Sequence, residues 1–106
     1  MAITTKRLFA SRPSATTNTE LYEVGAGDGA TLSMSICNTS TATTFRLALT
    51  AGSAPANGEY VFYDLPIAAN ETRQITGICL TAGQAVWVYS GAATIDYVGT
   101  GIEETA

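Results

Sequence analysis

Histidine is absent from the chain. With it go the Ser-His-Asp and Cys-His nucleophile arrangements and the commonest protein ligand of zinc and non-haem iron. Charge is also scarce: Asp, Glu, Lys and Arg make up 13% of 106 residues, about half the share of an average soluble domain. A surface built instead from Thr, Ser, Ala and Gly loses little on desolvation, which suits a protein largely covered by neighbours. Of the five cations, Lys6, Arg7 and Arg12 fall in the first dozen residues and only Arg46 and Arg73 follow. The rest is acidic and the chain carries a net −4, so no basic face can neutralise phosphates and no nucleic-acid partner is expected. No apolar run approaches the ~20 residues of a membrane-spanning helix, so no membrane partner is expected either. The opening MAITTKRLFASRPS has its cations in the middle and no apolar run behind them, unlike a secretion signal. Synthesis in a cytoplasm follows as the expectation, with Cys37 and Cys79 reduced. Both cysteines end apolar strand patterns, which predicts buried free thiols. A Cys37–Cys79 disulfide formed later, in an oxidising medium, is the alternative.

What the sequence does have is period-two patterning. Leu32, Met34 and Ile36 alternate with polar residues, as do Phe45, Leu47 and Leu49, which marks half-buried strands. No window of a dozen residues carries a helical stripe. About eight strands are predicted, near residues 4–9, 20–24, 30–38, 43–51, 59–65, 71–79, 84–90 and 93–99. The breaks hold turn chemistry, such as Gly25-Ala26-Gly27-Asp28-Gly29 and Asn57-Gly58. The length fits one domain. The expected fold is an all-β antiparallel sandwich, jelly-roll-like or immunoglobulin-like, although Trp87 follows Cys79 rather than lying between the cysteines as in an immunoglobulin domain. Residues 1–19 are read as an N-terminal arm and linker, and residues 20–106 as the sandwich body. Ser11–Thr19 has no large apolar residue, so the strand before it can pair with the body's own edge or with a neighbouring subunit.

The motifs point away from catalysis. Asp64 and Asp96 both fall in predicted strands, but nothing in the sequence couples them as an acid–base pair. The Gly-rich segment at 25–29 is followed by a strand pattern, whereas a phosphate loop needs a helix N-terminus. Asn38-Thr39-Ser40 and Asn70-Glu71-Thr72 match the glycosylation acceptor pattern, as chance allows in a Thr- and Ser-rich chain. No enzymatic activity, cofactor or metal is expected. The aromatic residues carry more information. Alternation places Tyr60 and Phe62 on one face, with Val61 and Tyr63 on the other, and Trp87 and Tyr89 opposite Val86 and Val88. Both faces of these strands are apolar, so the one outside the core also needs covering, by loops of the same chain or by a partner. Leu8, Phe9, Tyr60, Phe62, Trp87 and Tyr89 are therefore the candidate protein-contact residues. A sugar-binding platform is the rival use of exposed aromatics.

The ordered series Glu20-Leu21-Tyr22-Glu23-Val24-Gly25-Ala26-Gly27, Ile36-Cys37-Asn38-Thr39-Ser40, Thr44–Leu49, Tyr63–Thr72 and Leu80-Thr81-Ala82-Gly83-Gln84 resembles small β-sandwich virion proteins of tailed bacteriophages. Gly25 stands where that family often has Pro, and Gln84 where it often has Asp. The resemblance implies a structural subunit of the virion, in first place a capsid decoration (cement) protein. A neck or tail-fibre adaptor is the alternative, and a carbohydrate-binding sandwich the second. It implies the major capsid protein or other virion proteins as partners, together with self-association, a trimer favoured. It supplies no catalytic residues.

Overall fold

The computed structural model describes residues 2–105, so Met1 and Ala106, the outer ends of the two predicted segments, lie outside it. Eight strands run β1 (Ala2–Ser11), β2 (Thr19–Glu23), β3 (Gly29–Asn38), β4 (Thr43–Thr50), β5 (Tyr60–Ile67), β6 (Thr72–Thr81), β7 (Ala85–Ser90) and β8 (Ile95–Thr105). They form two four-stranded antiparallel sheets, in the orders β1-β8-β3-β6 and β2-β7-β4-β5. The pairs β1·β8, β2·β7, β3·β6 and β4·β5 are those of one long hairpin bent at the β4–β5 loop. Rolling that hairpin up sets β8 beside β3 and β7 beside β4, which is the winding of a jelly roll. The expected sandwich is therefore present, and of its two anticipated forms the strand order is that of the jelly roll.

The inward faces supply the core. Leu32, Met34, Ile36, Ile95 and Tyr97 of one sheet meet Phe45, Leu47, Val86 and Val88 of the other, all buried. Each such side chain contributes roughly 1.5–3 kcal/mol by leaving water. The polar groups that enter are paired. Tyr97 and Ser90 share a hydrogen bond of 2.7 Å, and burial pushes the Tyr97 phenol up to about 12, so it stays neutral. Asn38 is fully buried and ties three turns together. Its amide donates to the carbonyls of Thr41, Ile67 and Ala68 at 2.9, 3.4 and 3.2 Å, and its Oδ1 accepts from Thr94 at 2.9 Å.

All four edge strands are bulged. Leu8 is an extra residue in β1, Leu21 in β2, Val61 and one of Tyr63–Asp64 in β5, and one of Thr76–Gly77 in β6. Gly77 takes the positive φ that such a bulge requires, 74°. Bulges twist an edge out of register for a further strand and so guard against edge-to-edge polymerisation. Pro66 lies inside β5, where an edge position leaves its missing N–H without consequence.

Two expectations need correction. The register sets Cys37 opposite Thr72 and Cys79 opposite Thr31. Six residues of strand, about 20 Å, separate the two cysteines, whereas a disulfide needs Cα atoms within about 7 Å. Both thiols are free, Cys37 half-buried and Cys79 exposed rather than buried. The second correction concerns the last strand. β1 pairs along its length with β8 of the same chain, one of the two pairings expected for it, and β8 runs on to Thr105, past the predicted end at 99. Gly99 and Gly101 disguise that extension because they read as strand breakers, yet each serves a close approach. The Phe9 ring lies over Gly99, and a Cβ on Gly101 would stand 2.7 Å from the Leu32 Cα.

Charge also holds β1 in place. The Arg12 guanidinium donates to both Asp96 oxygens at 2.6 and 2.8 Å, and Lys6 lies 3.0 Å from Glu103. The Arg12 bond holds the Asp96 carboxyl below the usual range; bonds from the Tyr22 hydroxyl and then Lys6 do the same for Glu103. A carboxyl whose pKa is lower folded than unfolded stabilises the fold above its unfolded value of about 4 and stops doing so as pH falls through the lowered value. Acidification to below about pH 4 is thus expected to loosen β1 before the body unfolds. Hydrogen exchange should register faster β1 amides there while β3 and β4 amides stay protected, and equal loss of protection in all three would contradict it.

Candidate functional site

The outer face of the β2-β7-β4-β5 sheet gathers most of the exposed aromatic surface, and its layout follows from β4 and its two bulged neighbours. Arg46 and Ala48 of β4 point outward, alternating with the core residues Phe45 and Leu47. On β7 their cross-strand partners are Tyr89 and Trp87. On β5 Ala48 faces Tyr60, while two residues, Tyr63 and Asp64, stand against the single Arg46. That bulge directs two successive side chains onto one arginine. Asp64 sits at φ 50°, a strained conformation that aspartate tolerates better than most residues.

Arg46 is accordingly gripped on three sides. Its guanidinium carbon lies 4.2 Å from the Tyr63 ring centroid and 4.4 Å from that of Tyr89. Its Nε donates to Asp64 Oδ1 at 2.7 Å. Tyr60 meets Tyr63 edge to face, centroids 4.9 Å apart. Next to them Trp87 stands between Ala48 and Glu20 of β2. Ala48 is 1% exposed although it faces outward, because these larger neighbours roof it over. The Trp87 Nε1–H is buried and has no acceptor among the described residues, so packing alone fixes the indole. Tyr63 remains 58% and Val61 41% exposed. The result is a rigid aromatic and cationic patch with an open top.

The predicted contact residues divide. Tyr60, Trp87 and Tyr89 come together on this face. Phe62 does not: it points inward and packs edge to face on Phe45, centroids 5.6 Å apart. The expected pairing of Tyr60 with Phe62 fails because Val61 is a bulge residue, which breaks the parity of alternation. Phe9 is buried in the core, stacked on Tyr22, and Leu8 is half-buried against that core, so neither forms part of an open surface. Arg46, Tyr63 and Asp64 were not anticipated as contact residues. An arginine between Phe45 and Leu47 signals an outward position, but only the bulge shows what reaches it. Asp64 and Asp96 lie in different sheets, each paired with its own arginine. Asn38 is buried, so the first glycosylation pattern is closed to modification in the fold.

The chain matches no family model and no curated protein.

Proposed function

We propose that the protein is a structural subunit that docks on other protein surfaces through the β2-β7-β4-β5 face, and that its assembly is a tailed-phage virion, in first place as a capsid decoration protein. Arg46 clamped between Tyr63 and Tyr89 is the observation that carries the docking role. Tyr, Trp and Arg dominate the energetics of protein interfaces, most of all when they are held rigid and partly desolvated before binding. The bulged edges add support, since they disfavour growth by strand addition and leave a face as the route to partners. Jelly rolls serve in both capsids and lectins, so the fold suits either use. The packing favours protein over sugar: Arg46 covers one face of both Tyr63 and Tyr89, and Tyr60 lies edge-on to Tyr63, which reduces the flat ring surface a sugar would stack on. The virion itself enters from the sequence resemblance.

Quantitative mass spectrometry of purified virions is the test. A copy number equal to that of the major capsid protein, or a simple fraction of it, is the expected result for a decoration protein. A few copies per particle would move the chain to the neck or tail. Absence from particles would overturn the virion reading, and binding to glycans that is lost in Trp87→Ala would replace it with the sugar-binding one.

A further inference from the structure

We propose that β1 is an exchangeable strand, which leaves its own β8 and occupies the same slot on β8 of a second copy of this chain, giving a closed oligomer of which the reciprocal dimer is the smallest form. This inference does not depend on the virion reading. Three observations carry it.

The first is that the contacts of β1 form a discrete and transferable set. β1 and Arg12 after it touch the body through the backbone ladder to β8, through Leu8 against the core, through Phe9 over Gly99 and against Tyr22, and through two ion pairs to Asp96 and Glu103. Every one of those contacts can be reproduced, unchanged, on another copy. The second is charge. β1 and the residue after it carry Lys6, Arg7 and Arg12, and β8 carries Asp96, Glu103 and Glu104, three cations against three carboxylates in a chain that is otherwise poor in charge. That complementarity draws a released β1 to the β8 of any copy.

The third is the hinge. Arg12–Asn18 joins β1 to β2, and within it Thr16 is held at φ 52°. A β-branched residue in that region is a conformational outlier. The turn is tethered by Thr16 N–H donating to the Ser90 carbonyl at 2.8 Å and by a bridge between Ala15 and Ser90. Opening the hinge lets Thr16 relax to the extended conformation it prefers, and strained short hinges are the usual seat of strand exchange. Seven extended residues reach about 24 Å, more than the 20 Å short dimension of the molecule, so a neighbour lying alongside is within range.

The test uses the full chain in a Cys37→Ser/Cys79→Ser background. Thr5 and Ile102 are directly opposed across β1 and β8, as are Ala10 and Val98. One preparation carries Thr5→Cys and a size-tagged second carries Ile102→Cys. The two are mixed at high concentration, oxidised and run on a denaturing gel. A covalent heterodimer that grows with concentration is expected, and the Ala10→Cys and Val98→Cys mixture should repeat it. Adding Thr16→Gly to both chains removes the strain that opening relieves. It should weaken exchange on the order of tenfold per hinge. No heterodimer from either mixture would overturn the proposal, even if the protein elutes as an oligomer, because that oligomer would use another surface. Heterodimer unaffected by Thr16→Gly would overturn the role given to the hinge.

Discussion

Gly99→Ala is expected to unseat β1 while leaving the other seven strands folded. The glycine lies in β8 directly opposite Phe9, and a Cβ there would enter the space already held by the Phe9 ring. The ring cannot slide aside freely, because it is also stacked on Tyr22 with centroids 6.3 Å apart and is buried in the core. Either Phe9 leaves, forfeiting burial worth about 3–5 kcal/mol when it is truncated to alanine, or the sheets part locally at the 1–3 kcal/mol typical of overpacking. Both routes cost a sizeable fraction of the stability of a domain this small. A double-mutant cycle separates this steric cause from a general loss of strand quality. Phe9→Ala removes the object that the new methyl strikes, so the Phe9→Ala/Gly99→Ala protein should be less destabilised than the sum of the two single variants, by at least about 1 kcal/mol. Additive effects in denaturant unfolding would mean that Gly99 matters for some reason other than Phe9.

The same pair of residues marks where the sequence stops being readable. Period-two alternation and turn chemistry are local signals, and they give all eight strands in roughly their observed places. Facing of the regular strands is local too, which is why Val86 and Val88 are inward and Trp87 and Tyr89 outward as expected. Three things escape. A notch and the ring that fills it are some ninety residues apart, and Gly99 by itself resembles the start of a loop. A bulge carries no composition rule strong enough to read in YVFYDLP, so the parity of β5 is lost after Tyr60, and with it the assignment of Phe62 to the core and Tyr63 to the surface. Separation along a sheet is also hidden until register is known. Two cysteines that each end an apolar run therefore look like possible partners while standing at opposite ends of the same pair of strands. The aromatic face of the β2-β7-β4-β5 sheet shows both sides of this. Three of its aromatics follow from alternation, but its organising residue, Arg46, follows only from the tertiary arrangement of β4, β5 and β7.

Arg46→Ala is expected to separate binding from folding more sharply than any other substitution on this face. Arg46 makes no core contact. It contributes two cation–π contacts, each worth about 0.5–1 kcal/mol at an exposed site, and one ion pair with a half-exposed carboxylate, of a kind worth 0–1 kcal/mol. Its removal also relieves no strain, since Asp64 keeps its φ of 50° through the bulge. Together these come to about 1–3 kcal/mol, so denaturant midpoints should fall while unfolding stays cooperative. Docking should suffer far more. Without the guanidinium, Tyr89 loses its stacking partner and Tyr63 keeps only its edge contact with Tyr60, so both rings regain rotamer freedom that binding must then remove. Loss of a central Arg anchor, together with the order it imposes on two tyrosines, predicts a drop in affinity for the partner surface on the order of a hundredfold. Arg46→Lys should restore little of it, because an ammonium cannot stack flat between two rings while forking to a carboxylate. With the virion as the proposed partner, sedimentation of the variants with purified particles reads the affinity, and thermal unfolding of the same samples reads the fold. Full binding by Arg46→Ala would remove this face from the docking role and move attention to the Thr- and Ser-rich outer surface of the β1-β8-β3-β6 sheet.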